Sequence, residues 1–432
     1  MGRIAIGTSQ NDPRVLGRPL MSDHNLSARL WATAALISVP LASVWNYAWW
    51  LPLHLALLGA ATQAIVGGQL MFSATLGLSR GPSRNLVLVQ LLLLNVGALL
   101  VVGGRQWHSD AALAAGVVIV TVVIGWVTFL VHRLWSRSVN RRFAMTGVFY
   151  RLAGVSIILG ATIGGALALG AFNDAASYLE HRSLHMTLNV LGWVGLTVVG
   201  TAITLLPTIL HVRAPKIQQL RPAPWLMFGG LMVFSTGASL GLGWMASVGL
   251  ATYAAGFAIF GFYVRKILAV KSRRQVPTAA LHLVSAVAWL AVTVVAGIIL
   301  TATSDHAALR DFIVVGGAAG FVFQALLGAW AFLLPSTRAP IPEQRRRELV
   351  AMELGGRLQV AAYNLGLVAA MVGLRTDIDI SLAGIILAWT AAVSAMTKSW
   401  IFPYLGRLRG VQVRSDLWWA PPSDEGGASP PT

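Results

Sequence analysis

Residues 181–211 read HRSLHMTLNVLGWVGLTVVGTAITLLPTILH. His181 and His185 stand one helical turn apart at the head of the stretch, on one helix face. Behind them runs a long apolar segment carrying Asn189, Gly192, Trp193 and Gly200, which closes on Pro207 and a basic flank. A run of this length suits a helix crossing a hydrocarbon layer of about 30 Å. Similar runs recur on both sides of it.

The chain has 432 residues, of which 56% are hydrophobic and 11% charged. Its mean hydropathy is +0.70. Soluble domains usually carry about 25% charged residues. Recurring apolar runs with so little charge predict a polytopic, all-α membrane protein. A β-barrel would show alternating segments of about ten residues instead. Twelve spans are expected, near 29–48, 52–77, 85–103, 110–132, 147–171, 184–210, 225–243, 246–268, 278–302, 311–335, 357–374 and 380–403. The chain has no cysteine, which excludes disulfides, thiolate metal sites and cysteine nucleophiles.

The net charge of +17 has a topological reading. Basic residues fill every second connection: Arg80 and Arg84; Arg133, Arg137, Arg141 and Arg142; Arg213, Lys216 and Arg221; Arg265, Lys266, Lys271, Arg273 and Arg274; Arg338 and Arg345 to Arg347; Arg407, Arg409 and Arg414. The intervening loops hold Arg105, Arg182, Arg310 and Arg375. This alternation predicts a multi-pass protein of the cell membrane with both termini cytoplasmic. It identifies the lipid bilayer as partner and argues against nucleic acid. Residues 1–28 have no apolar run and read as a cytoplasmic tail, not a cleaved signal peptide. Residues 29–405 form the membrane domain. Residues 406–432 end in PPSDEGGASPPT and read as a largely disordered cytoplasmic tail. Trp45, Trp49, Trp50, Trp107 and Trp244 fall at outer span ends, and Trp135, Trp225 and Trp400 at inner ends, as aromatic belts do. Gly160 and Gly164, like Gly237 and Gly241, have the spacing that lets helices approach closely.

Two readings of a further pattern are open, an internal repeat or a chance resemblance of Gly- and Leu-rich helices. A shift of 128 aligns Gly192 with Gly320, Gly200 with Gly328 and Leu205-Leu206-Pro207 with Leu333-Leu334-Pro335. A shift of 131 superposes His54 on His185 more loosely. Spans two, six and ten share a direction and lie four helices apart, as three arcs of four helices would place them. The third copy has Ile313 where the histidine would fall.

Nine histidines are the main chemical candidates. His24, His108, His132, His211 and His306 read as tail, loop or span-end residues, and His282 as packed or interfacial. His54 and His185 are different, because they enter two spans of the same direction at similar depth. Ionisable groups inside a bilayer are costly and need a reason. Neutral imidazole binds metals and serves as an axial haem ligand. Two readings follow: a haem or copper site near the outer face, or interhelical hydrogen bonding. In the first, His54 and His185 hold the cofactor, and His181, His185 and Met186 form a candidate metal set, Met being a soft ligand for copper(I). Asn189, one turn below His185, would fix an imidazole tautomer. Asn95, Asn364, Gln63, Gln69 and Gln324 are expected to bond between helices. No carboxylate lies mid-span, which argues against a carrier with an acidic relay. No Walker, GxSxG or HExxH motif occurs, so no catalytic residue is assigned.

The sixth span (His185, Asn189, Gly192-Trp193, Pro207) resembles the N-terminal membrane region of actinobacterial membrane-anchored copper oxidases and nitrite-reductase-like proteins. His54-Leu-Ala-Leu-Leu-Gly-Ala, Gln324-Ala-Leu-Leu-Gly and Asn364-Leu-Gly add to the resemblance, which covers residues 29–405. That region is distantly similar to haem–copper oxidase subunit I and to the NnrS family. The resemblance implies twelve helices in three arcs of four. It implies a haem b ligand at His54, a copper or haem ligand at His185, and an extracytoplasmic copper protein as partner. The seventh and tenth spans lack the family's histidines and the cupredoxin domains are missing, so oxygen reduction is not implied. Electron transfer or metal handling is the expected role. A cofactor-free membrane anchor and a small-molecule transporter are the alternatives.

Overall fold

The computed structural model describes residues 13–44, 49–172, 174–270, 276–303, 305–339, 341–376 and 378–405. Trp45, Lys271, Arg273, Arg274, Arg407, Arg409, Arg414 and both chain ends lie outside the described residues. The described secondary structure is helical, without strands. In chain order the helices are α1 (Pro13–Val44), α2 (Trp50–Gly77), α3 (Arg84–Gln106), α4 (Asp110–Ser136), α5 (Ala144–Ala168), α6 (Ala175–Leu210) and α7 (Ala223–Ser239). They continue with α8 (Gly243–Val270), α9 (Thr278–Ala302), α10 (Phe312–Arg338), α11 (Pro342–Glu353), α12 (Gly356–Thr376) and α13 (Ile378–Leu405).

Ten of these are long and apolar enough to cross a membrane: α2 to α6, α8 to α10, α12 and α13. Helices α1 and α7 occupy the other two expected positions, and α7 has 17 residues. Helix α1 starts at Pro13, well inside the stretch read from composition as a tail. Its first half carries Arg14, Arg18 and Asp23. It nevertheless buries Met21, His24, Asn25, Ala28, Ala32 and Ala35, a helical spacing that presents one face to the bundle.

Three helices form the centre. The most apolar stretches of α2, α6 and α10 are 67, 83 and 72% buried, against 33–39% in the other seven. Each of the three carries a π-helical segment: Leu55–Ala61, Leu188–Gly195 and Phe312–Phe323. The segment of α10 packs against both of the others. Widened turns of this kind are frequent at functional sites. Each holds glycines that receive a neighbouring side chain. Trp31 lies where a Cβ on Gly59 would sit, Ser156 on Gly192, Tyr253 on Gly195 and Trp289 on Gly320.

One end of the bundle carries the arginine-rich connections, and the opposite end carries His54 and His185. Helix α11 (PEQRRRELVAME) lies at the arginine-rich end and buries Leu349, Val350, Ala351 and Met352. Trp49, Trp107, Trp225 and Trp244 are exposed as belt residues should be. Trp135 is instead buried against Gly147, and Trp400 lies under the Arg29 guanidinium at 4.2 Å.

Candidate functional site: a pair of facing histidines

His54 sits on the last α-helical turn before the π segment of α2, and His185 one turn before that of α6. Their rings face each other across the helices. The centroids are 6.4 Å apart and the planes differ by 9°.

Each ring is fixed through Nδ1. His54 Nδ1 donates to the Trp50 carbonyl at 2.8 Å, and the ring stacks on Trp50 with centroids 4.0 Å apart. His185 Nδ1 donates to the Gly160 carbonyl of α5, also at 2.8 Å. These bonds place the proton on Nδ1 and leave the Nε2 lone pair free, the tautomer a metal ligand needs. Among the described residues neither Nε2 has a hydrogen-bond partner.

The seat for His185 is made by missing side chains. A Cβ on Gly164 would lie 2.4 Å from His185 Cε1, and one on Gly160 would lie 2.6 Å from Asn189 Nδ2. The Gly160-x3-Gly164 spacing therefore does more than bring helices together. It opens the pocket into which the imidazole turns.

Asn189 takes a different part from the one expected. Its Nδ2 donates to the His185 carbonyl at 2.6 Å and lies 3.2 Å from His185 Nδ1. Two donors cannot share one bond, so the Gly160 carbonyl fixes the tautomer and Asn189 buttresses it. His181 is engaged elsewhere: its ring stacks on Phe172 at 3.8 Å, and Nδ1 donates to the Ser177 carbonyl at 2.8 Å. Met186 packs against the core. Among the described residues no group of three or more His, Cys, Asp or Glu side chains converges on one point. The geometry thus brings together His54, His185 and Asn189, and leaves His181 with Phe172.

Other polar groups tie helices together. Asn95 accepts from Trp31 Nε1 at 2.7 Å and Ser27 Oγ at 2.9 Å. Asn364 accepts from Trp289 Nε1 at 2.8 Å, and Gln69 donates to Thr197 at 2.9 Å. Gln63 pairs with His24 at 2.8 Å. His24 is fully buried, contrary to the solvated role expected of a tail residue, because α1 continues past it. Gln324 is buried and its amide has no partner. Two small internal cavities, about 10 Å³ each, lie away from the histidine pair. One, at the arginine-rich end, is lined by Thr278, His282, Gln359 and Lys398. The other lies among Thr187, Phe234, Thr293 and Ile313. Each has room for about one water.

No protein-family model matches the chain, and no curated protein matches it. The fold itself defines the class: a helical bundle with many membrane-length apolar helices, as integral membrane proteins have.

Proposed function

We propose that His54 and His185 together hold one metal centre, a haem b iron or a copper ion, near the outer face of a twelve-span protein of the oxidase-subunit-I type. The observation that carries this reading is the spacing of the two imidazoles. A metal–nitrogen bond is about 2.0–2.1 Å, and the nitrogen lies about 1.2 Å from the ring centre, so two ligands on one metal have centroids about 6.5 Å apart. The measured separation is 6.4 Å, with nearly parallel planes. A direct imidazole–imidazole hydrogen bond of about 2.9 Å would draw the centroids to about 5.3 Å.

The side chains present offer two imidazole ligands to such a group. Both rings have Nδ1 committed to a carbonyl and Nε2 free. Two protein ligands suffice where a porphyrin supplies the other four nitrogens. A copper(I) ion would accept the same two nitrogens. When bound, the group supplies a one-electron redox centre. The protein's part is to hold both imidazoles rigid and correctly protonated, through Trp50 on one side and Gly160, Gly164 and Asn189 on the other.

The repeat supports the same reading. Helices α2, α6 and α10 are the buried ones, and all three carry π segments. Three arcs of four helices account for that arrangement. The third copy has Ile313 in place of a histidine, so one pair of ligands is available. With the arginine-rich end inside, the pair lies near the outer face, within reach of an extracytoplasmic copper protein as electron partner. The transporter alternative is less well served: Asn95, Asn364 and Gln69 are tied into interhelix bonds.

The test is the visible spectrum and metal content of the purified full-length protein, beside those of His54→Ala and His185→Ala. A Soret band or stoichiometric copper in the parent, lost in both variants, is expected. A parent with neither would refute the proposal.

A further inference from the structure

The cavity at the arginine-rich end is a second buried polar site, apart from the histidine pair. The first turns of α9 set Thr278 and His282 on one helix face, four residues apart. Helix α12 brings Gln359 to the same cavity, helix α13 brings Lys398 and Ser399, and Trp330 of α10 helps to close it. His282 is 2% exposed, and its Nδ1 is buried with no hydrogen-bond partner. A buried polar group left unbonded costs about 1–3 kcal/mol, so the imidazole calls for a partner that the protein itself does not supply. The cavity it lines admits one particle of about the size of a water.

The charges around the cavity say what that particle is. Half-buried Lys398 donates to the Leu354 carbonyl at 3.0 Å and to the Met352 carbonyl at 3.4 Å. An ammonium has three donors, so one remains. Glu353 lies between those two carbonyls in sequence, but its carboxylate accepts from the Thr278 N–H at 2.9 Å and the Thr278 hydroxyl at 2.7 Å. Arg29 of α1 backs the same wall, donating to the Ser399 carbonyl at 2.7 Å. Among the described residues neither Lys398 nor Arg29 has a carboxylate within 4.0 Å, and no Asp or Glu lines the cavity. Gln359 gives one amide N–H to the Ala391 carbonyl at 3.1 Å and keeps the other.

A cation held away from water needs a counter-charge as well as hydrogen-bond acceptors. Water would supply only the second. A metal or alkali cation would be repelled by Lys398 and Arg29, and the size of the cavity excludes sulfate, phosphate and organic anions. We propose that the cavity binds one monatomic anion of the chloride type, held by the remaining Lys398 N–H, the His282 imidazole N–H and the free Gln359 N–H. The ion joins α9, α12 and α13 where Lys398 also holds the last carbonyls of α11. This site is independent of the histidine pair at the opposite end of the bundle.

The experiment keeps the full-length protein in detergent at fixed pH and ionic strength while sodium chloride replaces sodium gluconate. Equilibrium dialysis with radiolabelled chloride counts the bound ions, and the melting temperature follows stability. The parent is expected to bind one chloride per chain, with a melting temperature that climbs to a plateau as the site fills. Lys398→Met and His282→Phe should each weaken chloride binding by roughly tenfold or more, with helical circular dichroism retained. His54→Ala should bind chloride as the parent does. A parent without saturable chloride binding would overturn the inference and leave the cavity to water, a result that needs no variant to fold. Undiminished binding by Lys398→Met and His282→Phe would overturn it as well, because the ion would then sit elsewhere.

Discussion

Gly164 tests the site without touching a ligand. Replacing it with alanine puts a methyl carbon 2.4 Å from His185 Cε1 and 2.5 Å from Nδ1, where ordinary contact begins near 3.4 Å. The ring must move by about 1 Å, a shift that overpacked sites make at a cost of about 1–3 kcal/mol. The 2.8 Å bond from Nδ1 to the Gly160 carbonyl anchors it, and breaking that bond costs about 0.5–1.5 kcal/mol more. If half of this strain falls on the ligand-bound state, affinity for haem drops by roughly 3- to 40-fold, at about 1.4 kcal/mol per tenfold. The assay is haem titration followed by the Soret band, with the spectrum reporting whether iron keeps two imidazoles. Gly68→Ala on α2 is the control, because a Cβ there meets nothing within 4 Å. Gly164→Ala that binds haem as the parent does, with the same low-spin spectrum, would refute the seat assigned to His185.

Three further outcomes are expected. Asn95→Ala removes the acceptor shared by Trp31 and Ser27 and should lower stability by about 1–2 kcal/mol, since stranded donors are costly even where membrane partners can be replaced; an unchanged denaturation midpoint in detergent would count against it. His54→Ala should abolish cofactor binding while circular dichroism stays helical, because the His54 side chain bonds only to Trp50 of its own helix among the described residues; a spectrum like the parent's would contradict the ligand role. Glu353, at the end of α11, has its carboxyl raised above 4.5, first by burial, against the opposing pull of the Thr278 N–H and hydroxyl. A raised folded value favours the protonated form. Its contribution is full below 4.5 and is lost as pH rises through the folded value. Melting temperature should therefore fall over that window, and Glu353→Gln should flatten the slope; an unaltered slope would exclude Glu353 as its source.

Ten of the twelve expected spans were legible because a bilayer demands long apolar runs, and ten helices among the described residues are long and apolar enough to cross one. The start of α1 was not legible. Its buried face is set by residue spacing around Met21, His24, Asn25 and Ala28, and not by bulk hydropathy. His54 and His185 could be singled out by depth and direction. Their mutual orientation could not, since it depends on where α5 brings the Gly160 carbonyl and the empty place at Gly164. His181 shared a helix face with His185 on paper, yet the nearby Phe172 ring claims it. The π segments left no mark in the hydrophobic pattern, because one added residue per turn alters the phase of a helix and not its composition.

That phase has a mechanical meaning. An α-helix advances about 100° per residue. A π turn takes up one residue more than an α turn, so residues before and after it fall out of step by roughly one such increment. In α2, α6 and α10 the wide turns lie at or just beyond the histidine level, with long α-helical packing surfaces behind them. The tips at the histidine end are therefore keyed independently of the shafts. A single-residue deletion within Leu55–Ala61 would turn His54 away from His185 and leave the arginine-rich half of the bundle in register. A single insertion within an ordinary helix would do the reverse work of building such a joint, so a ligand could be turned into or out of a shared site by changing chain length by one.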